Sequence, residues 1–252
     1  MNPVHEPRIA WSIHEYETVS STMDIAAELA ANGAAEGAVV LARRQTAGRG
    51  RAGRAWANDG DVLQATLLLR PAIPAVQLTL APLLFGIAAA EAITDLCPNL
   101  PIWLKWPNDL WVGDRQHGAK IGGILVEMKA GGAMLAGFGI NIDIPEQSLP
   151  TGAICHRSAG CAVESPRLLN RLLAHIEDQY RALITANGRV PMDAWLSRAA
   201  MLGEQVSVVN HGTVQTGRFA GLREDGALLL EDAEGAKHAI VAGDLTRGPR
   251  LA

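Results

Sequence analysis

Apolar and polar positions change period several times along the chain, and each change marks an element. Ser21-Thr22-Met23-Asp24 opens an alanine-rich stretch that ends at Asn32-Gly33. A serine with an acid three residues on, and a glycine at the far end, predicts a helix capped at both ends. Val39-Val40-Leu41-Ala42 predicts a short buried strand, and Asp61 to Arg70 a second one. Residues 77–97 read as a long core helix, and Ile102 to Trp106 as a strand stopped by Pro107. Two apolar runs, Ile121 to Ala130 and Ala133 to Ile142, are parted by Gly131-Gly132, the pattern of a hairpin. Ser165-Pro166 predicts a helix start with serine at the cap and proline at the first position. Leu168, Leu169, Leu172, Leu173 and Ile176 then form its apolar stripe.

The texture shifts near Gly203. From Gln205 to Leu245 four or five short strands are separated by His211-Gly212, Glu224-Asp225-Gly226 and Glu234-Gly235. This predicts a small β-barrel-like unit. The expected organisation is therefore a domain over residues 1–202 and a smaller one over 203–252, with no internal repeat.

Composition narrows the class. With 252 residues, 48% hydrophobic and 19% charged, the chain can bury a large core. A net charge of −4 argues against bulk nucleic-acid binding, which needs a basic footprint. The first seven residues carry no charged leader followed by an apolar stretch. The longest apolar run, near 78–93, is broken by Thr79, Pro82, Gly86 and Glu91, so it reads as a buried helix rather than a membrane span. Cys97, Cys155 and Cys161 match no zinc spacing. They read as free thiols of a reducing compartment, which makes the expected location cytoplasmic. The seven histidines are scattered, and none is assigned a role.

Four segments carry candidate chemistry. In Gly48-Arg49-Gly50-Arg51-Ala52-Gly53-Arg54, glycines let backbone approach a ligand while guanidinium groups converge on anions. No Gly-Lys-Ser/Thr follows, so this is not a Walker A loop. Phosphate or carboxylate binding, a solvated loop and an RNA-contacting tract all fit its spacing. Lys105-Trp106-Pro107-Asn108-Asp109 places polar groups at a strand end, although an Asx turn would look the same. Lys120 opens an apolar strand with Gly122 and Gly123 just beyond it, either as a solvated edge lysine or as a ligand group. In Gly137-Phe138-Gly139-Ile140-Asn141 the glycines thin a strand for a flat ligand or for a bulge.

Their order is more informative than any one of them. Ser21-Thr22, Gln45 with the arginine-glycine loop, Lys105 to Leu110, Lys120 to Glu127 and Gly139-Ile140-Asn141 together resemble the biotin–protein ligase family. The resemblance spans roughly residues 10–145, and the β-rich tail resembles that family's small C-terminal domain. It implies an α/β (α+β) fold: a mixed sheet flanked by helices, like class II aminoacyl-tRNA synthetases, plus a small SH3-like β-barrel.

The implied activity is ATP-dependent biotin ligation. Biotin and ATP give biotinyl-5'-AMP and pyrophosphate, and biotin then passes to a lysine of a biotin carboxyl carrier protein. Ser21, Thr22, Gln45, Arg51, Gly122 and Gly123 would hold biotin's ureido head. Arg49 and Arg51 would order the loop over its carboxylate and the phosphate. Lys120 would sit at the carboxylate–phosphate junction. Lys105, Asn108 and Asp109 would serve the phosphates and Mg²⁺, whose ligands the pattern does not fix. Arg54 joins the nucleotide set, Asn141 would lie near adenine, and Trp56 would pack across the adenylate. Lys120 and Arg51 are the expected catalytic pair. Many relatives carry asparagine where Met23 stands, which leaves that residue's role open. The pattern begins about ten residues into the chain, so neither a DNA-binding helix-turn-helix nor repression is expected. No membrane partner is expected either, and a homodimer is carried as the oligomeric expectation. The alternatives are a lipoate or octanoate ligase or transferase of related fold and, in a different class, a nucleic-acid-binding module using the Arg-Gly loop.

Overall fold

A computed structural model describes residues 9–56, 60–210 and 212–248. The first seven residues, read above for a leader, and His211 lie outside that range. A strand not foreseen from the sequence, β1 (Ser12–Val19), comes first, followed by α1 (Thr22–Ala31), β2 (Ala38–Gln45) and β3 (Asp61–Leu69). Next come α2 (Ala81–Leu96), β4 (Ile102–Lys105), β5 (Asp109–Val112), β6 (Ala119–Met128) and β7 (Met134–Asp143). Helices α3 (Ser165–Thr185) and α4 (Asp193–Ser197) lead into β8 (Gln205–Asn210), β9 (Thr213–Leu222), β10 (Leu228–Glu231), β11 (Lys237–Ile240) and β12 (Asp244–Arg247).

The first seven strands form one sheet in the order β1-β2-β3-β7-β6-β5-β4. Only β1 and β2 run parallel; the other pairs are antiparallel. The last five strands form a separate antiparallel sheet, β11-β10-β9-β8-β12. This is the mixed sheet flanked by helices that the resemblance implied, and the tail it gave as a small SH3-like barrel is a five-stranded antiparallel sheet. Among the described residues no helix is long and apolar enough to cross a membrane.

Strand alternation divides the large sheet into two faces. Val39, Leu63, Leu67, Phe138 and Ile140 pack under α2 and α3, whose Leu84, Phe85, Leu168, Leu172 and Ile176 are buried against them. At roughly 1.5–3 kcal/mol per large apolar side chain removed from water, this face holds most of the stabilising burial. On the opposite face, Val40, Leu68 and Leu135 meet Met23 and Ala26 of the short helix α1. That helix covers only part of the face, and the remainder is open.

The local signals were mostly realised. Ser21 is the α1 N-cap, its hydroxyl accepting the Met23 N–H at 3.3 Å, and Gly33 follows the helix with φ 82°. The turn expected after the Ile102 strand is present at residues 106–108, and Asp109 then opens β5, which pairs with both β4 and β6. Two expectations are corrected. Glu164, not Ser165, occupies the α3 cap position; Ser165 sits in the first turn, and its hydroxyl donates to Asp61 at 2.8 Å. Cys97 and Cys161 are not free thiols: their Cα atoms lie 6.0 Å apart and they form a disulfide, leaving only Cys155 free and buried. A sequence separation of 64 gave no local sign of that pairing.

Candidate active site

The cleft lies on the partly covered face, over strand positions that have no side chain. β6 and β7 pair Gly123 with Gly139 and Leu125 with Gly137. A Cβ at Gly139 would fall 2.5 Å from the Trp56 ring, and one at Gly137 would fall 2.9 Å from Met23 Sδ. The two glycines therefore let Trp56 and Met23 lie directly on the strand.

One end of the cleft is a polar wall at the start of α1. Gln45 Oε1 accepts the Thr22 N–H at 2.7 Å and the Thr22 hydroxyl at 3.1 Å. Thr66, from β3, donates to the Thr22 oxygen at 2.8 Å. Ser21, Thr22, Gln45 and Thr66 are all buried. Capping and cleft lining coexist at Ser21, which does both.

The arginine-glycine loop closes over this wall as a tight turn. Gly50 N–H donates to the Arg54 carbonyl at 2.7 Å and Trp56 N–H to that of Gly48 at 2.9 Å. Its three arginines are held differently, although Arg51 and Arg54 share Asp244. Arg49 grips Asp24 with two hydrogen bonds of 2.7 and 2.9 Å. That contact holds the Asp24 carboxyl below its usual range and raises Arg49 above its own. Arg51 donates to Asn108 Oδ1 at 3.2 Å and to the Gly243 carbonyl at 3.3 Å. Arg54 pairs with Asp244 at 3.0 Å.

Opposite the polar wall stand Asn108, Asp109 and Lys120. Lys120 Nζ lies 2.6 Å from Asp109 Oδ1 and 5.4 Å from the centre of the Trp56 ring. Asn108 braces its turn against β6, donating to the Ile124 carbonyl at 2.6 Å. Residues Pro150–Ala153 form the far rim. They are held by Lys120 N–H on the Gly152 carbonyl at 2.8 Å, and Asn141 Nδ2 donates to Ile154 just beyond at 3.0 Å.

Of the residues singled out in the sequence, Ser21, Thr22, Gln45, Arg49, Arg51, Arg54, Trp56, Asn108, Asp109, Lys120, Gly123 and Asn141 line this one cleft. Two do not. Gly122 pairs with Ile140, and a Cβ there would meet Ile140 and Leu110, so it faces the core. Lys105 turns onto the Trp111 ring at 5.0 Å, where burial pulls its ammonium below the usual lysine range.

Sequence reasoning missed Asp24 as the clamp on Arg49, Thr66, the 150–153 rim, and Gly243 with Asp244 from the second sheet. Asp24 was visible, but only as a helix-start acid. The others are brought in by topology and have no local signature.

The cleft can also be tested for a hard cation. Among the described residues, the one group of three His, Cys, Asp or Glu side chains able to meet on an ion is Cys97, His156 and Cys161. The cleft thus has no carboxylate cage. Asp109 and the Asn108 amide oxygen are hard donors of the kind Mg²⁺ takes together with phosphate oxygens, and in that sense the residues fit.

The sequence profile of the biotin/lipoate A/B protein ligase family matches residues 16–144. The chain belongs to that family. Within it, the profile of the biotin protein ligase C-terminal domain matches residues 201–245. Among family members, the biotin–[acetyl-CoA-carboxylase] ligase of Paracoccus denitrificans is 35% identical over 86% of this chain and 93% of its own length. The bifunctional ligase/repressor BirA of Bacillus subtilis is 32% identical over 92% of this chain and 73% of its own length. In three dimensions, the biotin protein ligase from Aquifex aeolicus in complex with biotin and ATP has a TM-score of 0.78 at 28% identity. That similarity covers 93% of this chain and 97% of the other.

Proposed function

We propose that this chain is an ATP-dependent biotin–protein ligase that forms biotinyl-5'-AMP in the cleft and passes biotin to a lysine of a biotin carboxyl carrier protein. The observation that carries the reading is one cleft with a buried hydroxyl-and-amide wall at one end and Arg51, Asn108, Asp109 and Lys120 at the other. A ureido ring needs such a wall, and a carboxylate meeting a triphosphate needs such cations.

A carboxylate acylates poorly until an anhydride with AMP replaces its oxygen by a better leaving group. Bringing two anions together is the main electrostatic obstacle. Lys120 and Arg51 reduce it and stabilise the charge that grows on the α-phosphate. In the structure Asp109 and Asn108 hold these two cations ready at the cleft, so substrate oxygens need only exchange for protein oxygens. Asp109 and Asn108 would be the protein donors to Mg²⁺, which would supply neutralisation of phosphate charge when bound with the nucleotide. Ser21, Thr22 and Gln45 hold biotin, with Gly123 giving it room beside the strand. Arg49, fixed on Asp24, shapes the loop. Trp56, Arg54 and Asn141 serve the nucleotide side, while Lys105 and Gly122 are left out of the contact set. No protein nucleophile is required, and the loop and Trp56 keep water from the adenylate.

Residues 1–202 act as the catalytic domain. Residues 203–252 contribute Gly243 and Asp244 to the arginine loop, so the tail belongs to the working site. A cytoplasmic location, a homodimer and the absence of DNA binding complete the proposal, the last supported by the net charge of −4.

ATP–pyrophosphate exchange with biotin, lipoate or octanoate as the acyl partner is the test. Exchange with biotin alone is expected, followed by a one-biotin mass increase on a carrier protein. Exchange driven by lipoate or octanoate but not biotin would replace this reading with the related acyl ligase.

A further inference from the structure

The segment that rims the cleft is anchored at its far end by a cluster outside the acyl and nucleotide site. Beyond Ile154, His156 N–H donates to the Asn141 carbonyl at 3.0 Å and Arg157 N–H to that of Ile142 at 3.1 Å. The chain then reaches Cys161, which is bonded to Cys97 at the end of α2. His156 is 0% exposed, its Nδ1 lies 3.9 Å from Cys97 Sγ, and among the described residues its Nε2 has no hydrogen-bond partner. Cys97 Sγ, Cys161 Sγ and one imidazole nitrogen all fall within 4.8 Å of one another.

We propose that Cys97, His156 and Cys161 form a binding site for a borderline-soft divalent cation, Zn²⁺ foremost, that becomes available when the Cys97–Cys161 disulfide is reduced. Two sulfurs and an imidazole are a donor set that such a cation favours over Mg²⁺ or Ca²⁺. Tetrahedral coordination at ordinary Zn–S and Zn–N lengths puts neighbouring ligand atoms roughly 3.5–3.8 Å apart. His156 Nδ1 already lies 3.9 Å from Cys97 Sγ, and once reduced the two bonded sulfurs would have to part to that separation. The buried imidazole turns its Nδ1 toward Cys97 Sγ, so a ring nitrogen faces the sulfur pair. In a reducing compartment the disulfide does not persist, and two thiols would then face that ring.

The chemistry balances in two steps. A dithiol reductant attacks the Cys97–Cys161 bond and leaves as its own disulfide, so both protein sulfurs become thiols. Zn²⁺ then takes both sulfurs as thiolates and one neutral imidazole nitrogen, releasing two protons to solvent. The fourth position is left to water. Either form, disulfide or metal, ties the cleft-rimming segment to the end of α2.

The full chain, reduced with a trialkylphosphine and stripped with a chelator, would be titrated with Co²⁺ as the probe and then with Zn²⁺. The expected result is one equivalent of Co²⁺ with a thiolate-to-cobalt charge-transfer band that Zn²⁺ abolishes. Cys161→Ser should lose the band and Cys155→Ser should keep it. A second readout needs no substitution: Zn²⁺ should slow alkylation of Cys97 and Cys161 in the reduced wild type by about tenfold or more, mapped by mass spectrometry. The proposal is overturned if the reduced protein gives no thiolate band, if the band survives Cys161→Ser, or if alkylation of the pair ignores Zn²⁺. None of these measurements involves biotin or ATP, so their outcome is separate from that of the ligase assay.

Discussion

The two faces of the large sheet are made by the same strands and have opposite contents. On β7, Phe138 and Ile140 go down into the packing under α2 and α3, while Gly137, Gly139 and Asn141 between them go up into the cleft. On β6, Ile124 faces down and Gly123 up. One face is close-packed apolar volume. The other keeps glycines, buried hydroxyls and paired charges, which contribute little packing and are expensive to bury without partners. Stability concentrated on one side is what lets the other side hold a polar, partly open site. Changes on the helix-covered face should therefore move stability, and changes on the cleft face should move chemistry.

The largest stability effect should come from the covered face. Leu84→Ala removes a fully buried side chain of α2 and should destabilise by about 2–5 kcal/mol, read as a shift of the urea midpoint. A change well under about 1 kcal/mol would mean that this face is not the stabilising one.

Arg51→Gly acts on the cleft face. Lys120 remains, so biotinyl-AMP should still form, but the loop loses its tie to Asn108 and Gly243 and should release the adenylate sooner. Added albumin should then be biotinylated more than by wild type at equal adenylate production. Equal labelling would remove the closing role given to Arg51.

How legible this was in the sequence depended on range. The glycines and asparagine of β7, the capped α1 and the arginine loop are local patterns, and twelve of the proposed residues do converge on one cleft. The parity of a strand was harder to read: Gly122 and Gly123 look alike in the chain, yet alternation sends Gly122 to the core. Contacts that close across 190 residues or more, such as Arg51 with Gly243 and Arg54 with Asp244, leave no local trace. Neither does the disulfide. β1 was missed because its alternating residues are mostly exposed, as suits the edge of a sheet.

Gly139→Ala sharpens the comparison at a single atom. Its Cβ would intrude on the Trp56 ring, so kcat/KM for ATP should fall on the order of tenfold through misplacement, with little change in melting temperature. Unaltered kinetics would mean that Trp56 has no part in nucleotide binding.

The smallest effect is expected at Lys105, which lies outside the cleft. Burial lowers its folded-state pKa, so the folded protein binds that proton less tightly than the unfolded chain does. The resulting penalty is full at neutral pH and is relieved as pH rises through the lowered value toward the ordinary lysine value. Lys105→Met should therefore melt slightly higher than wild type near pH 7, with the gap closing in alkali. A gap that widened with pH would reverse the sign argued here.

The most direct measurement pairs biotin-dependent pyrophosphate exchange with thermal unfolding for Lys120→Ala. Lys120 is half-buried and lines the cleft beside Asp109. Exchange should drop on the order of a hundredfold or more while the melting temperature stays close to wild type. Near-normal exchange in a folded variant would contradict the account and return Lys120 to an ordinary lysine at the margin of a strand.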